Sequence, residues 1–162
     1  MINDFLKDTK TLEDLMASVL SASLESLPQD VPIAAAVYSI DNNQVKLLTC
    51  VHNSRELHND PTNHAEIEAL RGASKQTGDW RLENCVIFST LEPCVMCAGA
   101  IVQSRIGGVV FGAYDTQYGA CGSIYNFPTD PRLTHNPPVV GGILEEKCTK
   151  SLNDFFERLR SK

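Results

Sequence analysis

The 162-residue sequence predicts a layered α/β domain, and three observations carry that prediction. A strong amphipathic helical period lies near the start of the chain, a hairpin pattern follows it, and from there helical and strand-like segments alternate. The length suits a single domain, residues 1–162, built on one core. No internal repeat or linker composition interrupts it.

Each element has its own justification. Leu12, Leu15, Met16, Val19, Leu20, Ser23 and Leu27 repeat at helical spacing, which predicts a helix over residues 11–27. Thr11 with Asp14 three residues later resembles a capping pair, and Pro28 stops the helix. The apolar run from Ile33 to Ile40, the turn Asp41-Asn42-Asn43 and the alternation from Gln44 to Val51 predict a hairpin. His52 to Asn59 is polar and irregular. Asp60 followed by Pro61 predicts a helix start that leads through His64, Glu66, Ile67, Ala69 and Leu70 to a stop at Gly78. Cys85 to Ser89 is a strand, and Pro93 opens a helix through Cys94, Cys97, Ala100 and Ile101. Strands at Val109–Gly112 and Val139–Ile143 flank a long loop, Tyr114 to Pro138. Leu144 to Lys162 is helical, with Leu144, Cys148, Leu152, Phe155, Phe156 and Leu159 on its apolar side.

Composition narrows the class. With 43% apolar and 21% charged residues the chain has the balance of a globular protein, not of a disordered one. Its apolar runs are too short to span a bilayer. The first eight residues, Met1 to Asp8, mix charges without an apolar core, unlike a secretory signal, so a cytoplasmic location is the expectation. A net charge of −6 argues against broad, nonspecific binding of nucleic acid, which rests on Lys and Arg contacts with phosphate, and leaves room for a local basic patch. Six cysteines in a cytosolic chain of this size point to metal binding or chemistry before disulfides. Cys94 and Cys97 have ligand spacing. Cys50, Cys85, Cys121 and Cys148 are scattered, and Cys50 and Cys85 read as buried small hydrophobes in strands.

The stretch from His64 to Cys97 carries the chemistry. His64, Cys94 and Cys97 offer one imidazole and two thiols, and three protein ligands leave a tetrahedral zinc ion one open position. Cys94 and Cys97, three apart, share a helix face. His64 and Glu66, two apart, lie about 200° around a helix and converge only if the ion sits off the helix N-terminus. Helix N-termini aimed at the ion would stabilise thiolates and hydroxide. Zinc with two thiolates and a neutral imidazole is formally neutral and acidifies water weakly, so a neighbouring base is needed; Glu66 is the candidate. Such a site can attack an electrophilic ring carbon and protonate a leaving amine, which is hydrolytic deamination. Taken singly, a Cys-x-x-Cys is more often half of a structural zinc knuckle or a redox pair, and a His-x-Glu at a helix start is more often surface. Their co-occurrence favours the catalytic reading.

These residues resemble the zinc nucleobase deaminases, whose signature pairs His-x-Glu with Pro-Cys-x-x-Cys. The likeness is closer to the bacterial tRNA-specific adenosine deaminases, through Asp60–Ile67, Thr90–Ile101, Ser104–Ile106, Val109–Ala113, Gly119–Ser123 and Asp154–Phe156. The resemblance implies a cytidine deaminase-like three-layer α/β/α sandwich around a five-stranded mixed sheet. It implies a homodimer with one zinc ion per subunit, held by His64, Cys94 and Cys97, with Glu66 moving protons. It also implies that Asn53 hydrogen-bonds the target purine, Ala65 gives a backbone contact to the base, Asp115 contacts the preceding nucleotide and Phe156 lies near the flipped loop. The implied activity is deamination of adenosine to inosine at the wobble position of a tRNA anticodon loop, with no membrane or DNA partner. As residues, Asn53 also suits a turn and Phe156 also suits a core position. Two alternatives compete: a deaminase of free guanine or cytosine, and a non-catalytic zinc-bearing RNA-binding subunit.

The chain departs from the family pattern in three places. Ala34 stands before Ala35 where the family has glycine, and its methyl would tighten or shift the base site. Tyr114 and Gln117-Tyr118 occupy a loop that is often basic. Ser, Leu and Glu replace basic residues in the first helix. These changes weaken the case for phosphate contacts and leave the deamination chemistry untouched. Lys147, Lys150, Arg158, Arg160 and Lys162 would supply a local patch if they are more than a solvated face.

Overall fold

The computed structural model describes residues 1–42 and 44–161, so Asn43 of the hairpin turn and Lys162 of the basic tail lie outside the described residues. Strands β1 (Ala34–Asp41), β2 (Gln44–His52), β3 (Cys85–Leu91), β4 (Gly108–Ala113) and β5 (Val139–Val140) form one sheet in the order β2-β1-β3-β4-β5. β1 runs antiparallel to β2 and β3, whereas β3, β4 and β5 run parallel. The sheet is therefore mixed and five-stranded. Among the described residues six α-helices accompany it: α1 (Ile2–Phe5), α2 (Thr9–Ser23), α3 (Arg55–His58), α4 (Ala65–Thr77), α5 (Val95–Gln103) and α6 (Glu145–Arg160). None is long and apolar enough to cross a membrane.

Strand alternation divides the core into two layers. Ala34, Ala36, Tyr38, Ile40, Val86, Phe88 and Val110 face Leu12, Met16 and Val19 of α2 and Cys148 of α6. Ala35, Val37, Cys85, Ile87 and Val109 face Ala65, Ala69 and Ala73 of α4 and Ile101 of α5. Helices on both faces complete three layers. Alanine dominates the α4 contact with the sheet, so that helix packs close and its first residues sit directly over the strand ends. Gly112 does the same for α6: a Cβ there would meet the Cys148 sulfur and the Thr90 carbonyl.

The structure corrects several expectations. Asp8, not Thr11 with Asp14, caps α2, accepting from the Thr11 backbone N–H at 3.2 Å and hydroxyl at 2.7 Å; the helix starts two residues earlier than expected and tightens to a 3-10 turn after Ser23. Asp60 does not cap α4 either. It accepts from the Thr62 backbone at 2.8 Å and hydroxyl at 2.7 Å, holding a turn, so the helix begins at Ala65. Gly78 ends it in a left-handed conformation (φ 72°), as its position predicts. β5 stops at Val140, ahead of Gly142 with its positive φ, three residues short of the predicted Ile143. Cys85 is buried, but Cys50 is exposed because β2 is an edge strand. Phe156 and Leu159 are exposed: Cys148 and Phe155, seven apart, take the buried face of α6 and turn their neighbours outward. The methyl of Ala34 points into the α2-side core and that of Ala35 into the α4-side core, so neither tightens the cavity described below.

Met16 is fully buried between α2 and the sheet. Met16→Ala should cost about 2–5 kcal/mol, whereas Leu24→Ala, at a 52% exposed position, should stay within about 0.5 kcal/mol. The midpoints of urea unfolding, at equal slope, measure both.

Candidate active site

Two helices begin at one point. His64 is the N-cap of α4 and Cys94 the N-cap of α5, each in extended backbone (φ −75°, ψ 148° and φ −73°, ψ 176°). An N-cap residue leaves the helical spiral, so its side chain is free to lean over the helix end. That is how His64 and Glu66, opposed in an ideal helix, come to one place. Cys97 follows in the first turn of α5.

His64 Nδ1 lies 3.7 Å from Cys94 Sγ and 3.6 Å from Cys97 Sγ, and ligand atoms of the three residues all fall within 4.8 Å of one another. Ligands at about 2.3 Å (sulfur) and about 2.0 Å (nitrogen) in tetrahedral arrangement stand about 3.5 Å apart. The spacing fits a single metal ion, and imidazole with two thiols is a donor set suited to a borderline-soft one.

The electrostatics favour thiolate at Cys94. The hydrogen bond from Cys97, with a further contribution from His64, lowers its pKa to about 4 against the pull of burial. The same bond raises Cys97, because that thiol holds the proton the pair shares. His64 is raised in turn by its contact with Cys94. Glu66 is buried, and loss of solvent pushes its carboxyl pKa up; the Ser89 hydroxyl donates to its Oε1 at 3.3 Å. A carboxylate whose pKa is raised in this way holds a proton more readily than an exposed one, which suits it to take one up and pass it on.

A cavity of about 650 Å³ opens over this cluster. Glu66, His64 and Cys94 are on its wall together with Asn53, Asp115 and Phe156, so the structure brings most of the sequence-predicted residues to one space. Cys97 and Ala65 are buried and do not line it. Phe156 belongs to the cavity and not to the core. Asp115 is engaged locally: its Oδ1 accepts from the Gln117 backbone at 2.9 Å and from Tyr118 at 3.0 Å.

Two buried acids went unnoticed in the sequence. Asp30 accepts from Asn53 Nδ2 at 2.9 Å and from the Glu56 and Leu57 backbones at 3.0 and 3.1 Å, which fixes the Asn53 amide and starts α3. Glu92 accepts from the backbones of Cys121 at 3.1 Å, Ser123 at 2.9 Å and Asp115 at 3.0 Å, and from the Ser123 hydroxyl. It ties the loop after β4 to the strand that delivers Cys94. Gly119 permits this, since a Cβ there would meet the Glu92 carboxylate and the Asp115 carbonyl. The available signal was an acid beside an apolar strand run, Asp30 before Val31 and Glu92 after Leu91.

A layered α/β fold with a His-Cys-Cys cluster and a buried carboxylate on one cavity defines the deaminase class. Comparison with known proteins agrees: residues 11–157 match the MafB19-like deaminase family. The tRNA-specific adenosine deaminase of Bacillus subtilis is 42% identical over 133 residues, covering 82% of this chain and 80% of that one. A structure from work on A-to-I editing by tRNA:A34 deaminases at the wobble position of transfer RNA superposes with a TM-score of 0.77 at 33% identity, covering 85% of this chain and 97% of that one. Guanine deaminase from Nitrosomonas europaea shares the fold, with a TM-score of 0.72 at 23% identity over 88% of this chain and 83% of its own. The chain belongs to the MafB19-like deaminase family, among the bacterial tRNA-specific adenosine deaminases.

The donor geometry predicts that Cys94→Ala loses most bound metal. Metal analysis of the purified variant tests this, and full occupancy would contradict the ligand assignment.

Proposed function

We propose that the chain is a cytoplasmic, homodimeric zinc hydrolase of one domain, residues 1–162, that converts adenosine to inosine at the wobble position of a tRNA anticodon. The observation that carries this is the placement of Glu66 beside the His64-Cys94-Cys97 cluster, on the same cavity wall as Asn53. His64, Cys94 and Cys97 would hold one zinc ion per subunit, which supplies Lewis acidity toward water when bound. Glu66 takes the proton of the attacking water, gives it to the purine ring nitrogen beside the reacting carbon, and assists departure of the exocyclic amine as ammonia. Water adds its oxygen and the amine leaves, so atoms and charge balance. Asn53, with one amide N–H committed to Asp30, presents its carbonyl oxygen and its other N–H to the purine. Ala65 offers a backbone contact to the base, Asp115 contacts the preceding nucleotide, and Phe156 packs on the everted loop.

Several facts support RNA over a free base. The relatives at 42% and 33% identity are tRNA deaminases. The cavity, at about 650 Å³, exceeds what one purine fills and runs on to exposed residues of α6. An anticodon loop presents its bases unpaired, so one can be everted without melting a duplex. The net charge of −6 favours the second reading, a deaminase of free guanine or cytosine, which needs no basic surface. A silent zinc-bearing subunit is disfavoured because burying an ionisable Glu66 is costly and serves no structural role there.

Two measurements test the reading. Glu66→Gln should retain zinc while turnover falls about 10²- to 10⁴-fold; an active variant would show that another group moves the proton. An anticodon stem-loop offered beside free guanine, cytosine and adenine should yield inosine in the RNA. Ammonia from guanine with no inosine in the RNA would sink the tRNA assignment in favour of the free-base enzyme.

A further inference from the structure

Tyr118 is 67% exposed on the wall of the active-site cavity. Among the described residues its ring packs on no other aromatic ring and its hydroxyl makes no hydrogen bond. Its backbone, by contrast, is held firmly. The Tyr118 N–H donates to Asp115 Oδ1, the Asp115 N–H donates to the buried Glu92, and Glu92 also takes the Cys121 and Ser123 backbones. Gly119, next in the chain, sits too close to Glu92 to carry a side chain without displacing it. A bare aromatic side chain on so constrained a loop is pre-organised for contact with something not yet there. Tyr114 and Phe156 also line this cavity; the Tyr114 ring packs edge-on against Phe111, whereas Phe156 on α6 is 44% exposed. Past Gln117, Asn153 and Phe156 the cavity adjoins a recess of about 410 Å³ that includes Arg160.

Cations are scarce at this mouth. Arg55 is the one Lys or Arg on the cavity wall among the described residues, and its guanidinium bonds Glu56 at 2.9 Å. Phosphate neutralisation therefore supplies little of the binding here, whereas every base offers a π-face. We infer that Tyr118, with Phe156, forms a stacking subsite for the nucleobase next to the target in a single-stranded RNA loop. The inference rests on the proposed RNA substrate. It assigns to aromatic stacking the affinity that a basic loop would otherwise provide, and Asp115 acts within it by fixing the loop that bears the ring.

Steady-state kinetics on an anticodon stem-loop test it. Tyr118→Ala should raise KM about 5- to 150-fold with kcat little changed, the range equivalent to about 1–3 kcal/mol of stacking per base. Tyr118→Phe and Tyr118→Trp should stay within about twofold, since either ring can stack. Trp80→Ala, an exposed aromatic that carries Arg81 over its ring away from the cavity, should leave KM unchanged. An abasic residue beside the target should abolish the difference between the wild type and Tyr118→Ala. Normal inosine formation with KM unmoved in Tyr118→Ala overturns the stacking subsite and leaves the tRNA reading intact. So does a Phe variant as poor as Ala, which would assign the effect to the hydroxyl. If the wild type forms no inosine in the stem-loop, both readings fall.

Discussion

The constraint that shapes this protein is that two helices must start at the same point. Groups that are to share one metal ion must stand about 3.5 Å apart, and here the imidazole and thiols that could do so come from residues thirty positions apart in the chain. The close approach of α4 and α5 depends on small residues: Ala65, Ala69 and Ala73 on α4 and Ala35 on β1 are all fully buried. Larger side chains would lift α4 from the sheet and carry His64 away from the thiols. The N-cap geometry follows from the same requirement. A residue inside the helix could not turn its imidazole over the helix end, and an N-cap residue can. The positive ends of both helices then face the donors, which favours thiolate and any anion formed there.

Around that point, buried carboxylates make rigid walls out of irregular chain. Burying an ionised acid costs several kcal/mol unless hydrogen bonds replace its water. Asp30 accepts three such bonds and Glu92 four. Both satisfy backbone N–H groups that no helix or strand satisfies. The loop after β4 thereby gains a fixed shape without regular structure, and the segment after β2 gains an anchored Asn53. Binding a substrate to walls already ordered spends less free energy on ordering.

The layers and the His-Cys-Cys cluster were legible because each leaves a local trace: a helical period, an alternation, a Cys-x-x-Cys. Strand alternation even placed Ala34 and Ala35 on opposite faces, although the expectation that Ala34 reaches the base site ignored it. What could not be seen depends on distant partners. Asp60 and Asp8 are both acids before a helix, and only the fold decides that Asp8 caps and Asp60 turns. Glu92 bonds residues 23 to 31 positions onward, a separation no spacing rule spans. Phe155 and Phe156 are indistinguishable in composition, and the packing of Cys148 under β4 settles which is buried.

The acidic balance of the chain bears differently on catalysis and on recognition. Inside the cavity, Glu66 and Glu92 are shielded by burial and by local partners, so net charge hardly reaches them. Outside, a net charge of −6 opposes the approach of a polyanion at long range, and screening limits that opposition to roughly 8 Å at physiological salt. A ligand that comes within that distance meets short-range forces first. Contacts that need no charge, such as amides, backbone N–H groups and aromatic faces, then decide its fate. Gln117, Tyr118, Asn153 and Phe156, exposed around this cavity, are of that kind, and Arg55 is the one cation on its wall among the described residues. An acidic protein can in this way recognise a nucleic acid loop by its bases while offering its phosphates little.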